Sequence, residues 1–177
     1  YFGRVNYTLK DRYFFQGTAR VDGSSRFGRE SRYGFFPSLS AGWVMSDEDW
    51  FHSEQISFLK LRTSWGKTGN AALPDYARFG TYSARDNGIT YATDSILFPL
   101  QPENPSLRWE TSRTFDASVE LGLWQDRVTL ELAGYHKLSK DVLMNVSTPA
   151  STGFTNYWDN VATILNRGIE FSIKSRN

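Results

Sequence analysis

Phe115-Asp-Ala-Ser-Val-Glu-Leu-Gly-Leu-Trp-Gln-Asp-Arg-Val-Thr-Leu-Glu-Leu132 decides how this chain is read. Phe115, Ala117, Val119, Leu121 and Leu123 alternate with Asp116, Ser118 and Glu120. Past Gln125-Asp126 the alternation resumes, with Val128, Leu130 and Leu132 set against Thr129 and Glu131. A period of two with one apolar and one charged face predicts two antiparallel strands, 112–123 and 128–138, joined by a tight turn.

The same pattern extends in both directions. Strands are expected over 1–9, 13–22, 33–45 and 57–66 on one side and over 165–175 on the other, seven in all. Lys10-Asp11-Arg12 reads as a short turn, 23–32 as a polar loop, and about 67–110 and 139–164 as long loops. Ser46-Asp-Glu-Asp49 has capping-box spacing with Asp in place of Glu, so a helical turn is expected within 46–56. Short and longer connections alternate, as in an up-and-down membrane barrel with short periplasmic turns and long extracellular loops. The fold class expected is therefore all-β: an antiparallel up-and-down transmembrane β-barrel segment.

Composition agrees. The 177 residues carry 20 Lys plus Arg and 19 Asp plus Glu, a net charge of +1 that gives no nucleic-acid footprint. With no cysteine there are no disulfides and no thiolate sites. His52 and His136 are the only histidines, so no metal centre and no cofactor is expected. His136 falls among the apolar residues of its strand, which suggests an interface or lipid-facing position. His52, beside Trp50 and Phe51, reads as local packing. Neither has an obvious serine partner, so no catalytic residues are assigned and the chain is read as a non-enzyme. Mean hydropathy is −0.48, and no run approaches the ~18 apolar residues of a membrane helix. Aromatics nevertheless make up 16%. They cluster at strand ends: Tyr13, Phe14, Phe15 and Trp124 by short turns, Tyr33, Phe35, Trp65 and Trp109 by longer loops. Two interfacial girdles would look like this.

The charged face carries Arg20, Lys60, Arg62, Asp116, Glu120, Glu131, Glu170 and Lys174, which are expected to line a hydrated lumen. In a dry core each would cost several kcal/mol unless paired. Pairing Leu123 with Val128 sets Glu120 opposite Glu131. Counting from the same end puts Lys60 beside Glu120 and Lys174 near Glu131, a row that relieves the repulsion of the two carboxylates. Asp22-Gly-Ser-Ser-Arg-Phe-Gly28 lacks the Lys-Ser/Thr and helix of a phosphate loop. It reads as a turn with its glycines at positive φ and Arg26 paired locally. Among the loop aromatics, Tyr82, Tyr91, Tyr157 and Trp158 are candidate substrate-stacking residues.

Several runs together resemble the C-terminal barrel region of SusC/RagA-like TonB-dependent outer-membrane transporters of Bacteroidota. They are Arg4-Val-Asn-Tyr7 with Asp11-Arg12-Tyr13, Arg20-Val-Asp-Gly-Ser-Ser-Arg-Phe-Gly28, Gly34-Phe-Phe-Pro-Ser38 and Gly42-Trp43. Leu59-Lys-Leu-Arg-Thr-Ser-Trp-Gly-Lys-Thr-Gly-Asn70, Asn104-Pro-Ser-Leu-Arg-Trp-Glu110 and Asn166-Arg-Gly-Ile-Glu170 follow in the same order. The resemblance implies a barrel of about 22 strands with an N-terminal plug. It also implies a SusD-like surface lipoprotein as partner, contact with outer-membrane lipid, and import of an oligosaccharide or peptide ligand energised by the TonB complex. Residues 1–177 then form a partial barrel domain, about seven strands, with the plug, the TonB box and the remaining wall outside it. A passive porin-like channel and a soluble aromatic-rich β-sandwich binding module are the alternative readings.

Overall fold

A computed structural model describes residues 1–83, 90–91, 94–95 and 97–176; the side chains of Thr90, Tyr91, Asp94, Ser95, Phe98 and Ala150 lie outside the described set. Seven strands form one antiparallel sheet: β1 (Phe2–Leu9), β2 (Tyr13–Gly23), β3 (Tyr33–Val44), β4 (Ile56–Asn70), β9 (Glu110–Leu123), β10 (Val128–Ser147) and β11 (Asn156–Ser175). They pair strictly in chain order. Between β4 and β9 the chain makes two small strand pairs, β5 (Thr81–Ser83) with β8 (Phe98–Gln101) and β6 (Thr90–Tyr91) with β7 (Asp94–Ser95).

The connections at one rim are tight. At Lys10-Asp11 and at Gln125-Asp126 both central residues have positive φ, 51° and 53° in the first turn, 57° and 61° in the second. These signs match the right-handed twist of the flanking strands, which is why such turns close antiparallel pairs. The Arg12 amide donates to the Leu9 carbonyl and the Arg127 amide to the Trp124 carbonyl. The third connection at this rim contains a one-turn 3-10 helix, Met45–Asp47. The helical turn expected there is present, but Ser46 does not cap it. Val44 occupies the N-cap with no side-chain bond, and the Ser46 hydroxyl donates to Asp47.

Two strands run much further than their sequence pattern suggests. β10 continues to Ser147 and β11 begins at Asn156, so most of the 139–164 loop is strand. The alternation is masked because the ladder slips between Ser139 and Leu143, with Asp141 at positive φ. The slip is local: Val142 pairs with Ala162, but Ser139 with Ile164 and Leu143 with Asn160 share one register, so the faces are the same on both sides of it.

Core formation is confined to the other rim. Among the described residues Phe27, Leu73, Ala77 and Leu107 form one buried cluster, with Ala71, Trp109, Leu143 and Trp158 packed against it. The loop 24–32 contributes Phe27, and the long connection 71–109 contributes the rest. Arg26 ties the two together: its Nε donates to Asp75 Oδ1 at 3.2 Å and its Nη1 to the Ala71 carbonyl at 3.1 Å. Arg26 therefore pairs across 49 residues rather than locally. Nor do Gly23 and Gly28 take positive φ; Gly153 is the one described glycine that does. Gly23 instead leaves room for the Tyr33 ring, which a Cβ would approach to 2.9 Å. Trp109, expected in a girdle, belongs to this loop core, 5.2 Å from the Phe27 ring and 5.3 Å from the Phe36 ring.

Among the described residues no second layer covers the apolar face of the sheet. Its odd-numbered β1–β4 face exposes Val5, Tyr7, Phe15, Val21, Tyr33, Phe35, Leu39 and Trp65, and β9–β11 continue it with Phe115, Leu132, Ile169, Phe171 and Ile173. A sandwich would bury this face. Uncovered, it is a lipid-facing barrel wall, and the soluble sandwich reading falls.

Candidate functional site

The face opposite the apolar one is the candidate site, and backbone register alone assembles it. Cross-strand partners point to the same side of a sheet. Arg20 pairs with Phe36, Gly42 with Arg62, Arg62 with Ser118, and Lys60 with Glu120. Glu120 pairs with Glu131, Asp116 with Tyr135, Ala133 with Glu170, and Thr129 with Lys174. All eight charges named from the sequence thus stand on one face, spread over β2, β4, β9, β10 and β11.

The register Lys60–Glu120–Glu131 is the one counted from the 124–127 turn. Its fourth member is displaced: Ser172 stands directly opposite Glu131, and Lys174 lies two residues along β11 on the same face. The charges do not form a ladder of contact ion pairs. Lys60 turns its ammonium to the Phe14 ring, 5.3 Å from the centroid. Lys174 shares a hollow at the short-turn rim with Glu120, Thr129 and Asp126. Arg20 bonds Asp22 on its own strand at 2.8 Å and lies 5.7 Å from the centre of the Phe36 ring.

Midway up the face lies a hollow of about 360 Å³, lined by Asn6, Phe14, Gln16, Ser40, Arg62 and Asp116 among others. Asp116 is held in place there. Its carboxylate accepts the Ser64 hydroxyl at 3.1 Å, and its carbonyl accepts the Thr63 hydroxyl at 3.1 Å. Arg62 makes no ion pair among the described residues. A cation and a fixed carboxylate on a polar shelf beside the Phe14 ring can hold hydroxyl-rich or zwitterionic solutes through exchangeable hydrogen bonds.

The four aromatic candidates fall in different settings. Tyr82, on β5, is 69% exposed. For Tyr91, on β6, the side chain lies outside the described residues. Tyr157 and Trp158 sit on the extended β11 rather than on a loop. Trp158 is half-buried against the loop core, and its carbonyl accepts the Asn104 side-chain amide at 2.9 Å. Among the described side chains, Tyr82, Tyr157 and Trp158 make no ring contact with one another.

Sequence reading missed Glu48. Its carboxylate accepts the Tyr13 hydroxyl, the Trp43 indole N–H at 2.9 Å and the Arg12 guanidinium at 3.0 Å. These donors, the Tyr13 hydroxyl first, hold the Glu48 carboxyl below the usual carboxylate range against partial desolvation. At the opposite rim Asp141, 2.7 Å from Arg108, raises the pKa of that guanidinium. The signal for Glu48 was an acidic residue in a turn flanked by aromatics, inside a stretch whose capping-box spacing falls on Ser46 and Asp49.

A two-faced antiparallel meander with one tight rim and one rim of packed loops defines a piece of an outer-membrane β-barrel wall. The TonB dependent receptor-like β-barrel family matches residues 1–176, and the chain belongs to that family. It is 37% identical over 187 residues to TonB-dependent receptor SusC of Bacteroides thetaiotaomicron, covering 99% of this chain and 18% of that protein. A TonB-dependent receptor of Formosa agariphila is 36% identical over 178 residues, covering 100% of this chain and 18% of its own length. Among solved structures, the RagAB peptide importer in its closed-closed state superposes with a TM-score of 0.87 at 27% identity, over 98% of this chain and 19% of that one. The chain thus spans about a fifth of the relatives it matches. Proteins of this family are outer-membrane barrels, a transporter and receptor class rather than an enzyme class.

Proposed function

We propose that residues 1–177 are part of the barrel domain of a SusC-like importer that carries oligosaccharides or peptides across the outer membrane. TonB energises the cycle, and a SusD-like surface lipoprotein works with the barrel. The observation that carries this reading is the division of the sheet into an uncovered apolar face and a continuous face of mixed charge. One face suits lipid and the other a hydrated lumen, with Arg20, Lys60, Arg62, Asp116, Glu120, Glu131, Glu170 and Lys174 toward the solute. Charges of both signs suit polar solutes held by hydrogen bonds better than selection of one ion sign. Tyr82, with Tyr91, Tyr157 and Trp158, stands at the rim where an incoming ligand first meets the protein. Membership of the family and likeness to a peptide importer and to SusC support import.

Growth of a strain lacking the full-length protein tests it, on single glycan and peptide sources, beside a strain lacking TonB. An importer predicts loss of growth on one source class in both strains. Growth retained without TonB but lost without the protein would favour the passive channel; growth retained everywhere would overturn transport altogether.

A further inference from the structure

The charges on the apolar face all have one sign. Below the Asp141 irregularity, the charged residues on that face of β9, β10 and β11 are Arg113, Lys140 and Arg167, with His136 among them and no Asp or Glu. The register groups them. Phe115, His136 and Arg167 form one cross-strand row, Arg113, Leu138 and Leu165 the next, and Lys140 pairs with Thr111 in the row above that. Arg113, His136, Lys140 and Arg167 are exposed, and none forms an ion pair among the described residues. The nearest acid, Asp141, is engaged by Arg108 at 2.7 Å. Lys67, the β4 partner of Arg113, points its ammonium at the Phe36 ring instead, 6.0 Å from the centroid.

Height places the group. Arg113 stands ten residues up β9 from Leu123, with Phe115, Ala117, Val119 and Leu121 between them on this face. At about 3.3 Å per residue and a tilt near 40°, that is roughly 25 Å, the height of the apolar band of a barrel. The cations therefore stand where the acyl chains end, at the rim that carries the long loops. A lipid-facing charge costs several kcal/mol at midplane but little at the interface. Adjacent cations without acids still repel each other unless an anion lies between them.

We propose that Arg113, His136, Lys140 and Arg167 form a ledge that binds the phosphate of a phosphorylated lipid in the outer leaflet. Directly opposed residues lie about 5 Å apart and diagonal ones about 7–8 Å, so long side chains from two or three strands can share one phosphate. Arg113 and Arg167 supply paired N–H donors suited to phosphate oxygens. The acyl chains then lie against Phe115, Leu132, Ile169 and Phe171 below. The inference rests on the apolar face meeting lipid and is independent of import.

The test uses the full-length protein in detergent micelles doped with monophosphorylated lipid A or its dephosphorylated form, read by native mass spectrometry. The Arg113→Gln/Arg167→Gln variant is expected to retain the phosphorylated lipid about tenfold more weakly, as loss of charge-assisted hydrogen bonds implies. Lys137→Gln, at the same height on the opposite face, is expected to bind as the parent does. The substitutions remove lipid-facing charge, so the barrel is expected to fold, and heat-modifiable gel mobility checks this. Equal retention of the dephosphorylated lipid, unaltered binding by the double variant, or an equal loss with Lys137→Gln would each overturn the ledge. Binding of inorganic phosphate with no retention of the lipid would reduce it to an adventitious ion site. Uptake is read separately, so a failed importer leaves this result intact.

Discussion

At the scale of single residues, Glu48 and Gly69 show how position outweighs type. Glu48 lies between the two residues with capping-box spacing, yet it fastens the 45–55 connection to Arg12 and Tyr13 at the start of β2 and to Trp43 at the end of β3. Its carboxyl is lowered from 4.5 in the folded chain, so folding favours the ionised form. The resulting stabilisation is present above that ordinary value and is lost as pH falls through the lowered one. Glu48→Gln is expected to speed amide exchange across 45–55 at pH 7, with the difference from the parent shrinking on acidification; exchange equal to the parent's at pH 7 would show the carboxylate idle. Gly69 lies against the Phe36 ring, where an added Cβ would sit 2.1 Å from a ring carbon. Gly69→Val therefore forces Phe36 out of its site and is expected to cost about 1–3 kcal/mol, seen as a lower temperature for the gel-mobility shift. Neither was legible beforehand, because the Glu48 contacts to Arg12 and Tyr13 and the Gly69 contact to Phe36 each join segments separated by more than 30 residues.

Among elements, hairpins were the most legible and loops the least. The β9–β10 pairing follows from counting away from Gln125-Asp126, since a tight turn leaves no freedom of register. Strand ends past Ser139 were lost, because the local slip at Asp141 and the apolar run Val142-Leu143-Met144 interrupt the alternation that reveals a strand. The loop core was invisible for a different reason. Phe27, Leu73, Ala77 and Leu107 come from two polar stretches with no periodicity; Arg26 ties the first to Ala71 and Asp75 in the second, and Asn104 ties the second to β11 at Trp158. Phe27 is fully buried there. Phe27→Ala is expected to remove about 3–5 kcal/mol of local packing and to expose 24–32 and 71–83 to limited proteolysis while leaving the barrel resistant. Cleavage no faster than in the parent would mean that the loops are ordered by something other than this core.

For the whole molecule, the wall has two faces and no interior of its own. Val119 and Ser118 are neighbours in sequence on opposite faces of β9. Val119→Arg is expected to cost about 2–4 kcal/mol of barrel stability near midplane and to lower the amount of full-length protein in the outer membrane. Ser118→Arg, on the polar face, is expected to leave that amount nearly unchanged. The reverse order would invert the assignment of faces. Sequence by itself determined the seven main strands, the faces of their regular parts and the pairing across tight turns, because these depend on a period of two and on local turn geometry. It also carried the family, through ordered motifs that span the chain. Tertiary structure alone decided that Arg26, Phe27, Leu107 and Trp109 meet in one core, that Glu48 binds three donors, and that the outward cations gather in adjacent rows at the long-loop rim. Those features depend on contacts across dozens of residues, whose relative placement no local pattern encodes.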